Sequence, residues 1–241
     1  MSAARQRPSG SRPLALVFDL DGVLIESSPS HKRAFEEVFR PFGIRNFDYT
    51  QYAGWKTAPV IESVLREAGL EPTPQLISEL TAQKSRLARE ELRSANPVAP
   101  DCIPTLSQLS RKYALALASS GSRPSIELFL SLNGCAHLFR SVLCGDDVSC
   151  AKPHPEIYQR TFATLDVDPQ AALVVEDAVA GIQAARAAHA GVVVGVEGTC
   201  SASQLSGAGA DGVIRAVSDL PRFLYDIYES GLASESDASE N

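Results

Sequence analysis

No stretch of this 241-residue chain is both apolar and long enough to cross a bilayer, and no apolar run follows the opening methionine. Neither a membrane partner nor a secretory leader is expected. Cysteine pairs are missing too. Cys102, Cys135, Cys144, Cys150 and Cys200 include no CxxC, and the four histidines are equally dispersed. An odd, irregular set of thiols argues against a disulfide framework and against a zinc site, so each cysteine is expected as a small core residue. Positive charge is also short, with 22 Lys and Arg against 29 Asp and Glu and a formal net charge of −7. A nucleic-acid partner is therefore not expected. An acidic chain can still take a small anion, because a pocket needs only local positive charge and a bound divalent cation supplies much of it. The reading is a soluble, cytoplasmic globular protein whose oligomeric state leaves no mark in the sequence.

What is present is a rhythm. Short apolar runs occur at 14–21 (LALVFDLD), 113–120, 141–147, 172–178 and 191–198, with a weaker one at 212–217. Near-continuous apolar strands are buried on both faces, as in a parallel sheet flanked by helices. Ser122 with Pro124 opens one intervening helix and Asn133-Gly134 ends it. Pro153 and Pro155 open the next, PEIYQRTFATL, and Gly191 closes AVAGIQAARAAHA. The expected fold is α/β, a doubly wound parallel sheet. About ninety residues between the first two strands hold only helical segments, far more than a crossover needs. These are SHKRAFEEVFRPF, TAPVIESVLREAG and TPQLISELTAQKSRLAREELRS. They predict an inserted helical cap over 27–97, a core of 14–26 plus 98–230, a flexible lead-in over 1–13 and a flexible acidic tail over 231–241. Lys84, Arg86 and Arg89 on the long helix read as a solvated face.

Four features carry chemistry. Asp19 and Asp21 end the first strand, and the period of two points both the same way at the edge where open α/β sheets bind ligands. Two such carboxylates suit a nucleophile beside a general acid/base, or a pair of cation ligands. Gly22 then allows a sharp turn. Ser119-Ser120-Gly121 ends the second strand, where hydroxyls and N–H groups make a phosphate site. Lys152, between rigid elements in AKPHP, can face phosphate as a point charge or offset the repulsion between a carboxylate and an anion. Glu176-Asp177 follows the apolar strand ALVV, and carboxylates from two strand ends make an oxygen-rich site of the kind Mg²⁺ takes.

Together DLDGVLIES, ALASSGS, AKPHPEIY and VEDAVAGIQAA resemble, in order, the four motifs of the haloacid dehalogenase superfamily, in particular its phosphatase and β-phosphoglucomutase-like branch. The resemblance covers about residues 14 to 215 and accounts for the cap. It implies a Rossmann-like core and a small phosphorylated metabolite as substrate. It implies that Asp19 forms an aspartyl-phosphate, that Asp21 protonates the leaving oxygen, and that Ser119, Ser120 and Lys152 hold the phosphoryl group. It implies Mg²⁺ on Asp19, Asp177 and the Asp21 carbonyl, with Glu176 as ligand or just behind. An aspartate at position 21 favours phosphate esters over dehalogenation. His31 stands where the mutases carry a histidine, yet Gly121-Ser122 replaces their Ser-Lys pair and Trp55-Lys56-Thr57 stands near their cap arginine. A phosphatase is expected, with a sugar phosphomutase as the alternative and a non-catalytic binding protein third. Tyr52-Ala53-Gly54-Trp55-Lys56 is the candidate substrate loop, against a reading in which Trp55 packs into the cap.

Overall fold

The computed structural model describes residues 13–52 and 55–228. The expected flexible ends (apart from Pro13) and Gly54 lie outside them. In chain order the elements are β1 (Ala15–Phe18), α1 (Ser28–Phe39), α2 (Thr57–Glu67), α3 (Pro74–Ala95), α4 (Cys102–Ser110), β2 (Ala114–Ala118), α5 (Arg123–Leu132), β3 (Phe139–Leu143), α6 (Glu156–Leu165), β4 (Ala172–Glu176), α7 (Val179–Ala187), β5 (Val192–Val196), α8 (Ala202–Gly207), β6 (Gly212–Ile214) and α9 (Leu220–Tyr228). Every strand pairing is parallel, in the order β3-β2-β1-β4-β5-β6. Helices cover both faces. The chain runs outward from β1 to β3 and returns to β4 on the far side of β1, so the strand order reverses beside β1.

The period of two sorts the strand side chains. Leu16, Phe18, Leu115, Leu117, Leu173, Val175, Val192 and Val194 pack with α4, α5 and α9. Val17, Ala116, Ala118, Ala172, Val174 and Val193 pack with α6, α7 and α8. Each large apolar side chain fully buried contributes about 1.5–3 kcal/mol, and a slip by one residue would exchange the two faces.

The insertion between β1 and β2 has its own core of Phe35, Val38, Phe39, Phe47, Val60, Ile61, Val64, Leu65 and Leu80. Its entry and exit run side by side as a short antiparallel ribbon. Ile25 bridges Val98, the Glu26 N–H donates to the Pro97 carbonyl (2.8 Å), and the Ala99 N–H donates to the Leu24 carbonyl (2.9 Å).

Several expectations need correction. The third strand starts earlier than the apolar run at 141–147 and stops at Leu143, because Gly145–Asp147 turns as a 3₁₀ segment. The helix α7 ends at Ala187, and His189, not Gly191, takes the left-handed conformation (φ 63°). Helices α4, α8 and α9 were not foreseen. Cys102, Cys135 and Cys144 are buried as expected, but Cys150 is exposed and Cys200 half-buried. Lys84 is not on a solvated face: it is 5% exposed.

Candidate active site

β1 ends at Phe18, and the parity of Val17 sends the next carboxylate, Asp19, to the α6–α7 side of the sheet. Glu176, at the end of β4, has the parity of Val174 and faces the same way. Lys152, between β3 and α6, meets both. Its Nζ donates to Asp19 Oδ1 and to Glu176 Oε1, each at 2.6 Å, and to the Ala118 carbonyl at 3.0 Å. The Tyr158 hydroxyl also donates to Glu176 Oε1 (2.5 Å), and its ring centroid lies 5.0 Å from Lys152 Nζ. Asp19, Lys152, Glu176 and Tyr158 are all buried. Two close approaches depend on glycine. A Cβ on Gly181 would lie 2.0 Å from the Glu176 carboxylate, and one on Gly22 (φ 77°) would lie 1.9 Å from Asp177 Oδ2.

Asp19, Glu176 and Asp177 place carboxylate oxygens within 4.8 Å of one another. Three carboxylates opposed by the single ammonium of Lys152 leave an excess of negative charge in a buried space. Its consequence shows in the acidities. Burial, with Glu176, Asp177 and Asp21 nearby, pushes Asp19 well above the usual carboxylate range despite Lys152. Burial and the Glu176 charge push Asp177 up to about 7, opposed by a hydrogen bond with Thr199. For Lys152, burial alone would lower the pKa, but the Asp19 and Glu176 charges outweigh it and raise the ammonium well above its ordinary value. An all-oxygen donor set short of positive charge fits a hard divalent cation.

Asp21 belongs to a different network. The strand has ended before it, so the period of two does not reach it, and its Oδ1 turns toward Ser27 and His31. The Ser27 hydroxyl donates to it, and His31 Nε2 lies at 3.1 Å. On the other side of the ring, Lys84 Nζ meets His31 Nδ1 at 2.9 Å and lies 4.4 Å from the Phe35 ring centroid. An ammonium can only donate, so Nδ1 accepts, and the neutral ring carries its proton on Nε2, facing Asp21. Burial would raise the Asp21 pKa, but His31, Ser27 and Lys84 outweigh that and hold it down at about 2.

Both networks open on one cavity of about 280 Å³ between the sheet edge and the insertion. The sheet side contributes Asp19, Asp21, Ser120, Lys152, Glu176 and Asp177; the insertion contributes His31, Tyr49, Trp55, Lys56, Lys84 and Ser85. Ser119 does not line it. The Ser119 side chain is fully buried, and its Oγ accepts from the Gly121 N–H at 3.0 Å. Trp55 is 54% exposed, its ring edge-on to Tyr52 at 5.7 Å, so it is not packed into the insertion's core. Lys56 Nζ crosses to the Gly145 carbonyl at 3.3 Å. The candidate residues thus converge, apart from Ser119 and the undescribed Gly54. Lys84, Ser27, Tyr158 and Thr199 join them unforeseen. One signal was available for Lys84: Leu80, Lys84, Ala88 and Leu92 form a single i, i+4 stripe, all buried.

A family model described as haloacid dehalogenase-like hydrolase matches residues 16–195. Validoxylamine A 7'-phosphate phosphatase from Streptomyces hygroscopicus subsp. limoneus is 31% identical over 185 residues, 71% of this chain and 80% of that protein. Fructose-1-phosphate phosphatase YqaB from Escherichia coli K12 is 29% identical over 182 residues, 73% of this chain and 93% of that protein. The crystal structure of CbbY from Rhodobacter sphaeroides in complex with xylulose-(1,5)bisphosphate is 27% identical, with a TM-score of 0.76 over 86% of this chain and 96% of that one.

Proposed function

The chain belongs to the haloacid dehalogenase-like hydrolase family, and we propose that it is a Mg²⁺-dependent phosphatase acting on a small phosphorylated metabolite, a sugar phosphate or similar. The observation that carries this reading is the pair of networks facing one cavity: Asp19 against Lys152, and Asp21 against His31. The relatives named for sugar-like phosphate esters support it.

In the first step an Asp19 oxygen attacks phosphorus, forming the aspartyl-phosphate as the bond to the leaving oxygen breaks. Lys152 reduces the repulsion between the carboxylate and its anionic target, and such charge neutralisation dominates phosphoryl transfer. Asp21 delivers a proton to the leaving oxygen. For this it takes up a proton from solvent water as the substrate enters and moves off Ser27 and His31, whose contacts otherwise hold it ionised. In the second step Asp21, ionised again, accepts a proton from the water whose oxygen bonds phosphorus as the Asp19 Oδ–phosphorus bond breaks, freeing the Asp19 carboxylate and inorganic phosphate. Ser120 and Lys152 hold the phosphoryl group, with Ser119 beside them, tied to the Gly121 N–H. When bound, Mg²⁺ would sit on Asp19, Asp177 and the Asp21 carbonyl, with Glu176 beside them, and draw charge from the phosphoryl oxygens.

Residues 14–26 with 98–230 are the core in this reading, and 27–97 the cap. The cap carries Trp55 and Lys56 to the substrate and keeps bulk water out. The enzyme is placed in the cytoplasm. Hydrolysis of an aryl phosphate is the test, with and without Mg²⁺, in the wild type and Asp19→Asn. Wild type with Mg²⁺ should exceed the other three by roughly 10³ or more. Equal rates in all four would overturn the proposal.

One observation favours a sugar phosphomutase as the second reading: the His31–Lys84 pair reaches Asp21 from the cap side of the cavity. Conversion of a sugar 1-phosphate to its 6-phosphate without phosphate release would select it.

A further inference from the structure

Among the described residues, one other group of metal-ligating side chains converges, and it lies outside the acidic centre. Cys150, His154 and Glu156 bring a sulfur, an imidazole nitrogen and a carboxylate oxygen within 4.8 Å of one another. Cys150 and His154 are exposed and Glu156 is half-buried. The segment holding them is not loose. The Glu156 carboxylate accepts from the Ser149 N–H (3.0 Å) and the Cys150 N–H (2.9 Å), and the His154 N–H donates to the Ala151 carbonyl (3.0 Å). Pro153 and Pro155 fix φ on either side of His154.

We propose that Cys150, His154 and Glu156 form a second cation site, specific for a borderline-soft divalent ion of the zinc class. The donors decide the class. A thiolate with an imidazole suits zinc far better than magnesium, which takes oxygen. The Ser149 N–H reaches both Glu156 oxygens (3.0 and 3.1 Å), the Cys150 N–H reaches one (2.9 Å), and Arg160 Nη1 lies 3.6 Å from Oε1, so of the carboxylate's roughly four lone pairs about one is left for a cation. His154 Nδ1 accepts only a long bond from the Glu156 N–H, at 3.3 Å, so ligation through either ring nitrogen gives up one weak contact. The Cys150 thiol proton goes to solvent as the sulfur takes the cation. The N-terminus of α6 disfavours a cation, but the anionic Cys150 and Glu156 donors oppose that field. Dispersal along the chain, which argued against zinc, does not apply to these three, because they fall within seven consecutive positions. The site flanks Lys152 on both sides in sequence, whereas the Lys152 ammonium points inward to Asp19 and Glu176.

Titrating the full-length protein with Co²⁺ in excess Mg²⁺ tests this spectroscopically. A thiolate-to-cobalt charge-transfer band should appear and be displaced by Zn²⁺. Cys150→Ser should abolish the band, and His154→Ala should weaken Zn²⁺ by about tenfold or more, with melting of both variants unchanged before metal is added. Absence of the band, or its persistence in Cys150→Ser, would overturn the proposal. No turnover is read, so the result stands or falls separately from the phosphatase reading.

Discussion

The sheet and the helical insertion each bury a lysine against the same cavity, and their surroundings drive the two in opposite directions. Lys152 is 9% exposed and pairs with two carboxylates, which raise its pKa well above the ordinary value although burial opposes them. Lys84 is 5% exposed, and its partners are a ring nitrogen of His31 and the face of Phe35. Burial lowers it to about 8, and the more distant charge of Asp21 opposes this only in part. Burial alone does not set a lysine's charge; the partner does. Lys152 is a fixed charge, and Lys84 titrates within reach of working pH.

The widest expected separation is between Lys152→Met and Lys84→Met. Removing Lys152 leaves buried carboxylates without their cation, which costs about 3–5 kcal/mol, and turnover falls by roughly 10²–10³. Lys84→Met loses one bond to His31 but relieves a desolvated ammonium, so stability changes by about 1 kcal/mol or less. Its turnover falls about tenfold. Denaturant unfolding of both in Mg²⁺ is the check, and equal losses would erase the contrast between the lysines.

A smaller effect lies in the pH profile. As Lys84 loses its proton above about 8, the His31 tautomer facing Asp21 is no longer enforced, and kcat/KM declines. Between about 8 and the unfolded value of 10.5 the unfolded chain binds more protons at this site, so its contribution makes stability rise with pH. Both trends should vanish in Lys84→Met. An alkaline limb that survives the substitution belongs to another group.

The sheet side predicts the smallest shift. Asp177 is raised from 3.8 to about 7, and Asp19 moves the same way. Through the Asp177 window the folded, metal-free protein holds the extra proton, so stability falls as pH rises from about 4 to 7 and then levels for this group. A cation needs the deprotonated oxygens. Mg²⁺ should therefore raise Tm more at pH 8 than at pH 5, at about 2–4 °C per kcal/mol of binding. Calorimetry giving the same gain at both would refute the assignment of the cation to these carboxylates.

What was legible follows the same division. Asp19, Glu176 and Asp177 stand at the ends of apolar strands, where a local pattern fixes both address and direction, and Lys152 comes marked by its prolines. The network around Asp21 was half hidden. Lys84 meets His31 across 53 positions of sequence, and a lysine among the charges of a long helix looks solvated until the i, i+4 stripe is counted. Ser119 has the address expected of it at a strand end, but its hydroxyl accepts from the Gly121 N–H, a local contact that the sequence pattern does not show. Cys150 was under-read because spacing along the whole chain masked a cluster within one loop. Helices α8 and α9 are short, and nothing in their flanks announces them as strongly as the prolines before α5 and α6.

The ribbon at Ile25 and Val98 bears on how such a chain can be rebuilt. Because both crossings of the insertion are fastened to each other, the sheet meets residues 27–97 as it would meet a tight hairpin, whatever lies beyond. Closing a longer loop at that point adds only slowly to the entropic cost. Another module could be spliced in beyond Glu26 and before Pro97 with the register of β1 on β2 left alone. Cutting earlier would fail, since the backbone at Gly22 is already pressed against Asp177. The safe exchange boundary therefore lies a few residues past the turn at Gly22, and a graft made there would carry Ser27, His31 and Lys84 away while leaving Asp19 and Lys152 behind.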